Sequence, residues 1–170
     1  VLNRVTGIMP EEMTETDFQH VIDCHAKAAL RVRQAGFDAV QIHAAHGYLL
    51  SQFLTPYYNR RTDRYGGTLH NRARLIYEVV AAVRRAVGED YPVMIKLNFD
   101  DFMAEGEGLT FPESLAMFEH LDTLGVDFIE PSGTNLSSGN GITQSFPHIA
   151  RAIEKQSYFK EQVSEIARHI

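Results

Sequence analysis

Between Gln41 and Tyr48 the chain reads Gln-Ile-His-Ala-Ala-His-Gly-Tyr, and His43, His46 and Tyr48 are the side chains in that run able to do acid–base chemistry. Two histidines three residues apart have three readings. In the first, one imidazole is packed and hydrogen-bonded and the other is solvated. In the second they bind a metal, which wants further His, Asp or Glu ligands from neighbouring strand ends. Glu130, followed by Pro131, is the one carboxylate at a comparable place, and that shortage counts against metal. In the third, the two imidazoles grip a carbonyl or anionic oxygen and the phenol beside them supplies a proton. A phenol has an ordinary pKa of about 10, so it keeps its proton at neutral pH and can release it to a carbanion-like centre. Spacing alone leaves the three open.

Lys96 stands inside the apolar run Met94-Ile-Lys-Leu-Asn98. A lysine is costly to bury without a partner. It can form an internal ion pair with Glu130 from the next strand, set a cation against the electron-rich edge of a cofactor, or attack a carbonyl as a Schiff-base lysine. The loop Thr55-Pro-Tyr-Tyr-Asn-Arg-Arg-Thr-Asp-Arg-Tyr-Gly-Gly-Thr68 has charges enough to meet a phosphate, but Arg–Asp pairs that pin the loop are the more economical expectation, with Gly66 and Gly67 turning the chain into the next helix. Arg72 and Arg74 are expected on the exposed or loop-facing side of that helix. Cys24 is expected to be a small core residue on the side away from the chemistry.

These residues need elements to position them. Residues 14–35 carry a roughly helical apolar pattern (Val21, Cys24, Ala28, Leu30, Val32) behind Thr14, Glu15, Thr16 and Asp17, and Gly36 terminates it. Asp38-Ala-Val-Gln-Ile-His43 reads as a strand, followed by a long polar loop. A second helix is expected over 69–87, with Thr68 before it, Leu75, Ile76, Val79, Val80, Val83 and Val87 buried, and Gly88 at its end. Pro92-Val-Met-Ile-Lys-Leu97 is the second strand. A third helix opens with Pro112 at its first position and stops at Gly125. Asp127-Phe-Ile-Glu130 is the third strand, a Gly/Ser/Asn-rich loop covers 132–145, and a last helix covers about 157–169. The segments after strands are long and the returns into strands are short. That asymmetry belongs to a parallel sheet that carries function on one edge. The rival, an open doubly wound sheet, would normally carry a glycine-rich first turn, and no G-x-G-x-x-G follows any strand here.

Composition narrows the class. The 170 residues suffice for one domain with a real core, and the formal net charge of -6 argues against nucleic acid or an anionic membrane as partner. No stretch approaches the ~20 apolar residues of a membrane helix, and the first residues lack the apolar core of a signal peptide. A single cysteine excludes an internal disulfide and a multi-cysteine metal site. A soluble, cytoplasmic enzyme domain acting on a small molecule is the expectation.

The run His43-Ala-Ala-His-Gly-Tyr-Leu-Leu-Ser-Gln-Phe-Leu54, followed by Asn59-Arg-Arg-Thr-Asp-Arg-Tyr-Gly-Gly-Thr-Leu-His-Asn-Arg72, resembles the old yellow enzyme family of NADH:flavin oxidoreductases, ene-reductases and 2,4-dienoyl-CoA reductase relatives. The resemblance extends from the helix near Thr14 to the last helix. It implies a (β/α)8 TIM barrel that holds FMN noncovalently, with residues 1–170 as the central part of that domain, about strands four to six, truncated at both ends. By motif position, His43 and His46 resemble the pair that hydrogen-bonds the substrate's carbonyl oxygen; some members have Asn where His46 stands. Tyr48 resembles the tyrosine that protonates the substrate carbon. Lys96 takes the place of a basic residue, often Arg, beside the flavin's N1/O2 edge, where Lys keeps the charge but loses the fork of donors. The implied function is hydride transfer from NADH or NADPH through the flavin to an activated alkene.

Three strands cannot close an eight-stranded barrel. The resemblance puts flavin-ring contacts on earlier strands and phosphate contacts on later ones, so this chain alone is expected to bind FMN weakly, to be inactive, and to associate through exposed sheet edges as a homo-oligomer. The alternatives are a Schiff-base barrel aldolase using Lys96 and an inactive barrel fragment.

Overall fold

The computed structural model describes residues 1–2, 7–135 and 159–170. Helix α1 spans Glu15–Gln34, strand β1 Val40–Ala44, helix α2 Leu49–Leu54, helix α3 Leu69–Val87, strand β2 Val93–Asp100, helix α4 Phe111–Thr123, strand β3 Phe128–Gly133 and helix α5 Lys160–Ile166. The strands form one parallel sheet in the order β1-β2-β3. Strand and helix alternate as the hydrophobic runs predict.

Helix starts follow local chemistry. Thr14 caps α1 in a capping box with Asp17, each side chain meeting the other's backbone N–H, a device worth about 1 kcal/mol. Thr68 caps α3 by accepting from the Asn71 N–H, and Gly88 ends it at φ 76, where a side chain would be strained. Thr110 and Glu113 form a second capping box on α4. That helix starts one residue before the expected position, so Pro112 is second in it; either place spares a proline the lack of an N–H.

The six apolar residues expected on the buried side of α3 are all buried. At roughly 1.5–3 kcal/mol for each fully buried large aliphatic side chain, this helix gives the core more buried side chains than any other described helix. On its helix-facing side the sheet contributes Ile42, Ala44, Val93, Ile95, Leu97 and Phe99, all buried. The α1 pattern needs correction. Its buried residues are Phe18, Ile22 and Ala29, while Ala28, Leu30 and Cys24 are exposed. One face of α1 packs on α3, and the polar residues Asp23 and Lys27 frame Cys24 on the outer face, where its sulfur meets the His20 ring at 3.5 Å.

Two further differences have local causes. The polar stretch after β1 contains a short helix, α2, whose Leu50, Phe53 and Leu54 are buried; six residues are too few for a visible helical period. Strand β2 continues to Asp100, because Asn98 and Asp100 still pair with β3 beyond the apolar run. Of the last loop and helix expected over 132–145 and 157–169, residues 136–145 and 157–158 lie outside the described residues; residues 132–133 belong to β3, and α5 covers Lys160–Ile166 of the expected helix. Among the described residues no helix is long and apolar enough to cross a membrane.

The Arg–Asp pins expected in the 55–68 loop are present. Arg61 donates twice to Asp63, at 3.1 and 2.5 Å, and reaches the Met13 carbonyl at 2.9 Å. Gly66 sits so close to the Arg61 carbonyl that a Cβ would collide with it. Arg72, expected on the exposed or loop-facing side, faces the loop but is buried. Its guanidinium donates to the Leu54 carbonyl at 2.8 Å, the Gly67 carbonyl at 2.9 Å and Glu113 at 2.6 Å, tying the end of α2 to α3 and α4. Arg72→Met should therefore cost about 2 kcal/mol, read as a lower urea midpoint, because two backbone carbonyls lose their donor while the partly exposed Glu113 can turn to water. An unchanged midpoint would remove Arg72 from this role.

Candidate active site

Strand register decides what shares a surface. His43 pairs with Lys96 and Lys96 with Glu130, so the three form one row across the sheet. Side chains alternate along a strand. The row therefore lies on the face opposite Ile42, Ile95 and the helices, together with Gln41, Asn98 and Ser132. This face is open in front of His43, which is exposed, while His46 and Lys96 are partly buried.

The chain leaves β1 through a tight turn. The Tyr48 N–H donates to the Ala45 carbonyl at 3.2 Å, and the two residues between, His46 and Gly47, have φ 64 and 81, as in type I′ turns. A positive φ costs a non-glycine residue about 1–2 kcal/mol. At Gly47 a Cβ would lie 2.6 Å from the Asn135 Oδ1, so that position admits no side chain. The turn folds the chain back so that three rings gather. The His43 and His46 centroids are 5.4 Å apart, and those of His43 and Tyr48 are 5.1 Å apart. Tyr48 also caps α2 and is 53% exposed, so its ring faces open space.

Lys96 Nζ donates to Glu130 Oε1 at 2.7 Å, and Gln41 Nε2 donates to Glu130 Oε2 at 2.9 Å. The internal ion pair foreseen for Lys96 is present. An ammonium in such a pair has no lone pair with which to attack a carbonyl, which counts against the Schiff-base reading. The hydrogen bond from Lys96, and then that from Gln41, hold the Glu130 carboxyl below its ordinary range. Partial desolvation, slight at the exposed His43 and greater at His46, lowers both histidines, and the Lys96 charge lowers them further against a smaller opposing pull from Glu130; His46 also feels His43. Both imidazoles therefore remain neutral below the usual histidine titration. His46 Nε2 lies 2.7 Å from the Ser132 hydroxyl, which can donate to that nitrogen or accept from it according to the ring's tautomer, and which fixes the ring's orientation either way.

Among the described residues no three His, Cys, Asp or Glu side chains gather as a metal centre requires. A separate hollow of about 290 Å³ between the segment before α1 and α2 is lined by Met13, Phe53 and Arg61 among others, and includes none of the three rings. Sequence reasoning overlooked Gln41, Asn98, Asp101 and Ser132. The signal for the first two was periodic: Gln41 stands two before His43, and Asn98 two after Lys96, so each shares a face with a residue already singled out. Ser132 carried the same signal, standing two after Glu130, and Asp101, beyond the end of β2, had none.

The chain matches the model of the NADH:flavin oxidoreductase / NADH oxidase family over residues 3–166. It is 44% identical over 131 residues to a metal reductase of Desulforamulus reducens, covering 77% of this chain and 19% of that protein. It is 39% identical over 124 residues to an NADPH dehydrogenase of Bacillus cytotoxicus, covering 73% of this chain and 35% of that one. Its fold is similar to 2-naphthoyl-CoA reductase solved with 2-naphthoyl-CoA, at a TM-score of 0.72 and 31% identity, over 79% of this chain and 20% of that one. The chain thus spans between a fifth and about a third of the length of these relatives. The parallel sheet backed by helices is a partial TIM barrel of the kind such enzymes build. With its matched residues running through every element described, the chain belongs to the NADH:flavin oxidoreductase / NADH oxidase family, the old yellow enzyme family that its His43–Arg72 run resembles.

Proposed function

We propose that this chain carries the substrate-gripping and proton-donating wall of an FMN-dependent oxidoreductase that takes reducing equivalents from NADH or NADPH and reduces an alkene conjugated to a carbonyl. The observation that carries the reading is that the His43 ring, itself exposed, lies within 5.4 Å of both the His46 and Tyr48 rings, centroid to centroid, with Lys96 in the same row as His43.

The residues fit a flavin as the redox partner. An isoalloxazine ring needs a flat face to lie against and a cation near its electron-rich edge. The open sheet face offers the first, and Lys96, steadied by Glu130, the second. When bound, FMN supplies hydride transfer, from the nicotinamide to the flavin and on to the substrate's β-carbon. The chain's own groups do the rest. His43 and His46, both neutral, each present one N–H that can hold the substrate's carbonyl oxygen. Those bonds strengthen as charge gathers on that oxygen, which is where stabilisation speeds the reaction. They also orient the alkene so that its α-carbon lies near Tyr48, whose hydroxyl delivers the proton. The name of the reductase solved with 2-naphthoyl-CoA, whose substrate bears a carbonyl next to an unsaturated carbon skeleton, agrees with this acceptor class.

Tyr48→Phe should slow alkene reduction about 10²- to 10⁴-fold, the usual worth of a general acid, and leave flavin reduction by NAD(P)H largely intact in stopped-flow traces. Equal loss in both half-reactions would remove Tyr48 from the proton-donor role.

The depressed histidines set a pH dependence. An unfolded histidine titrates near 6.5 and the folded ones below it. As pH falls through about 6.5 the unfolded chain takes up protons that the native one refuses, so stability declines from there and levels off only below the folded values. Carbonyl-ligand affinity should stay flat in the upper part of that window and change only as pH falls to the folded values, because until then the native imidazoles are still neutral. Lys96→Met should move both histidine titrations upward in NMR by removing the repelling charge. A downward shift, or none, would mean that Lys96 does not act on the pair.

A further inference from the structure

Beneath the His46–Gly47 turn lies a buried polar cluster that the proposed chemistry does not use. Asp101, one residue past β2, is 1% exposed. Its Oδ1 accepts from Asn98 Nδ2 at 2.8 Å; its Oδ2 accepts from the Thr55 hydroxyl at 2.7 Å and the Leu109 N–H at 3.0 Å. Asn98, fully buried, donates the same amide nitrogen to the Thr134 carbonyl at 2.7 Å, and its Oδ1 accepts the His46 N–H at 3.2 Å.

An amide side chain has one donor end and one acceptor end. Asp101 and the Thr134 carbonyl are both acceptors, and they claim the donor end. The acceptor end must then face His46, whose N–H would otherwise point at a buried group in a conformation that costs a histidine energy. Remove the carboxylate and one acceptor remains to resist a rotation that would set the amide NH2 against the His46 N–H. A buried carboxylate is also a poor way to fill space, since an apolar side chain of the same size would serve without desolvation.

We infer that Asp101 is a positioning residue for His46: acting through the oriented amide of Asn98, it holds the His46 backbone in its left-handed turn and so holds the imidazole beside that of His43. The inference rests on the reading that His46 grips a substrate carbonyl. It adds a residue that touches neither substrate nor flavin and was not legible as functional from its type.

The test uses the full-length FMN-loaded protein with Asp101→Leu, Asp101→Asn, Asn98→Ala and, as benchmark, His46→Ala. The flavin is reduced with dithionite and mixed with 2-cyclohexenone, and His46 ring signals are followed by 15N NMR in the same variants. Asp101→Leu and Asn98→Ala should raise the Kd for the enone about tenfold, in line with the sensitivity of such reactions to small misplacements, shift the His46 signals, and leave reoxidation by oxygen, which needs no carbonyl grip, unchanged. Asp101→Asn keeps an acceptor toward Asn98 but turns an NH2 against the Leu109 N–H. It should lose stability while keeping the enone Kd and the His46 signals near those of the parent, which a merely structural role would not allow. Parent-like Kd and His46 signals in Asp101→Leu and Asn98→Ala, beside an impaired His46→Ala, would overturn the inference. So would an Asp101→Asn protein as impaired in binding as Asp101→Leu. If Asp101→Leu fails to fold, Asn98→Ala decides by the same criteria. A parent-like Kd in His46→Ala would instead defeat the substrate reading, and the His46 signals would then decide the role of Asp101 by themselves.

Discussion

The pairing of His43 with Lys96 and of Lys96 with Glu130 is the constraint on which the rest of the site depends. Because side chains alternate along a strand, a slip of one residue in β2 would swing Lys96 into the helix layer and bring Ile95 or Leu97 to the open face. What prevents the slip is the apolar half of the same strands. Val93, Ile95, Leu97 and Phe99 are buried against the helices, and reversing them would expose four large side chains and bury a charge. The chemistry of one face is thus held in register by the packing of the other.

On that foundation charge is balanced rather than accumulated. Lys96 would repel protons from both histidines, and Glu130 moderates it through a direct hydrogen bond. Gln41 occupies the second oxygen of Glu130, so the carboxylate is held from two strands. The result is a pair of neutral N–H donors beside a fixed cation. Neutral imidazoles can stabilise charge that develops on a bound oxygen without having bound an anion tightly beforehand, which is the difference that favours turnover over mere affinity.

The turn after β1 adds the third dimension. Strand pairing can align His43 with its neighbours but cannot bring a residue from the loop back over the face. The two positive φ values at His46 and Gly47 do so, supported by Asn98 from β2 and closed by Asn135 against Gly47. The same turn sets Tyr48 at the cap of α2, whose buried Leu50, Phe53 and Leu54 anchor the short helix.

Much of this was legible in the residues. Helix α3 could be read to its boundaries, because its apolar period is long and Thr68 and Gly88 mark its ends. The strands could be located, the ion pair between Lys96 and Glu130 foreseen, and the His43–Arg72 run identified with its family. What could not be read were features whose causes are distant in the chain. Cys24, Ala28 and Leu30 looked like core because an apolar residue carries no mark of which helix face another element will cover. Arg72 proved buried because carbonyls from two other segments and Glu113 converge on it. By itself the sequence determined which residues could do chemistry and which elements would carry them, since periodicity and capping are local. Only the tertiary structure decided which of those side chains meet, because strand register, a left-handed turn and a buried amide set by Asp101 join residues up to about ninety positions apart.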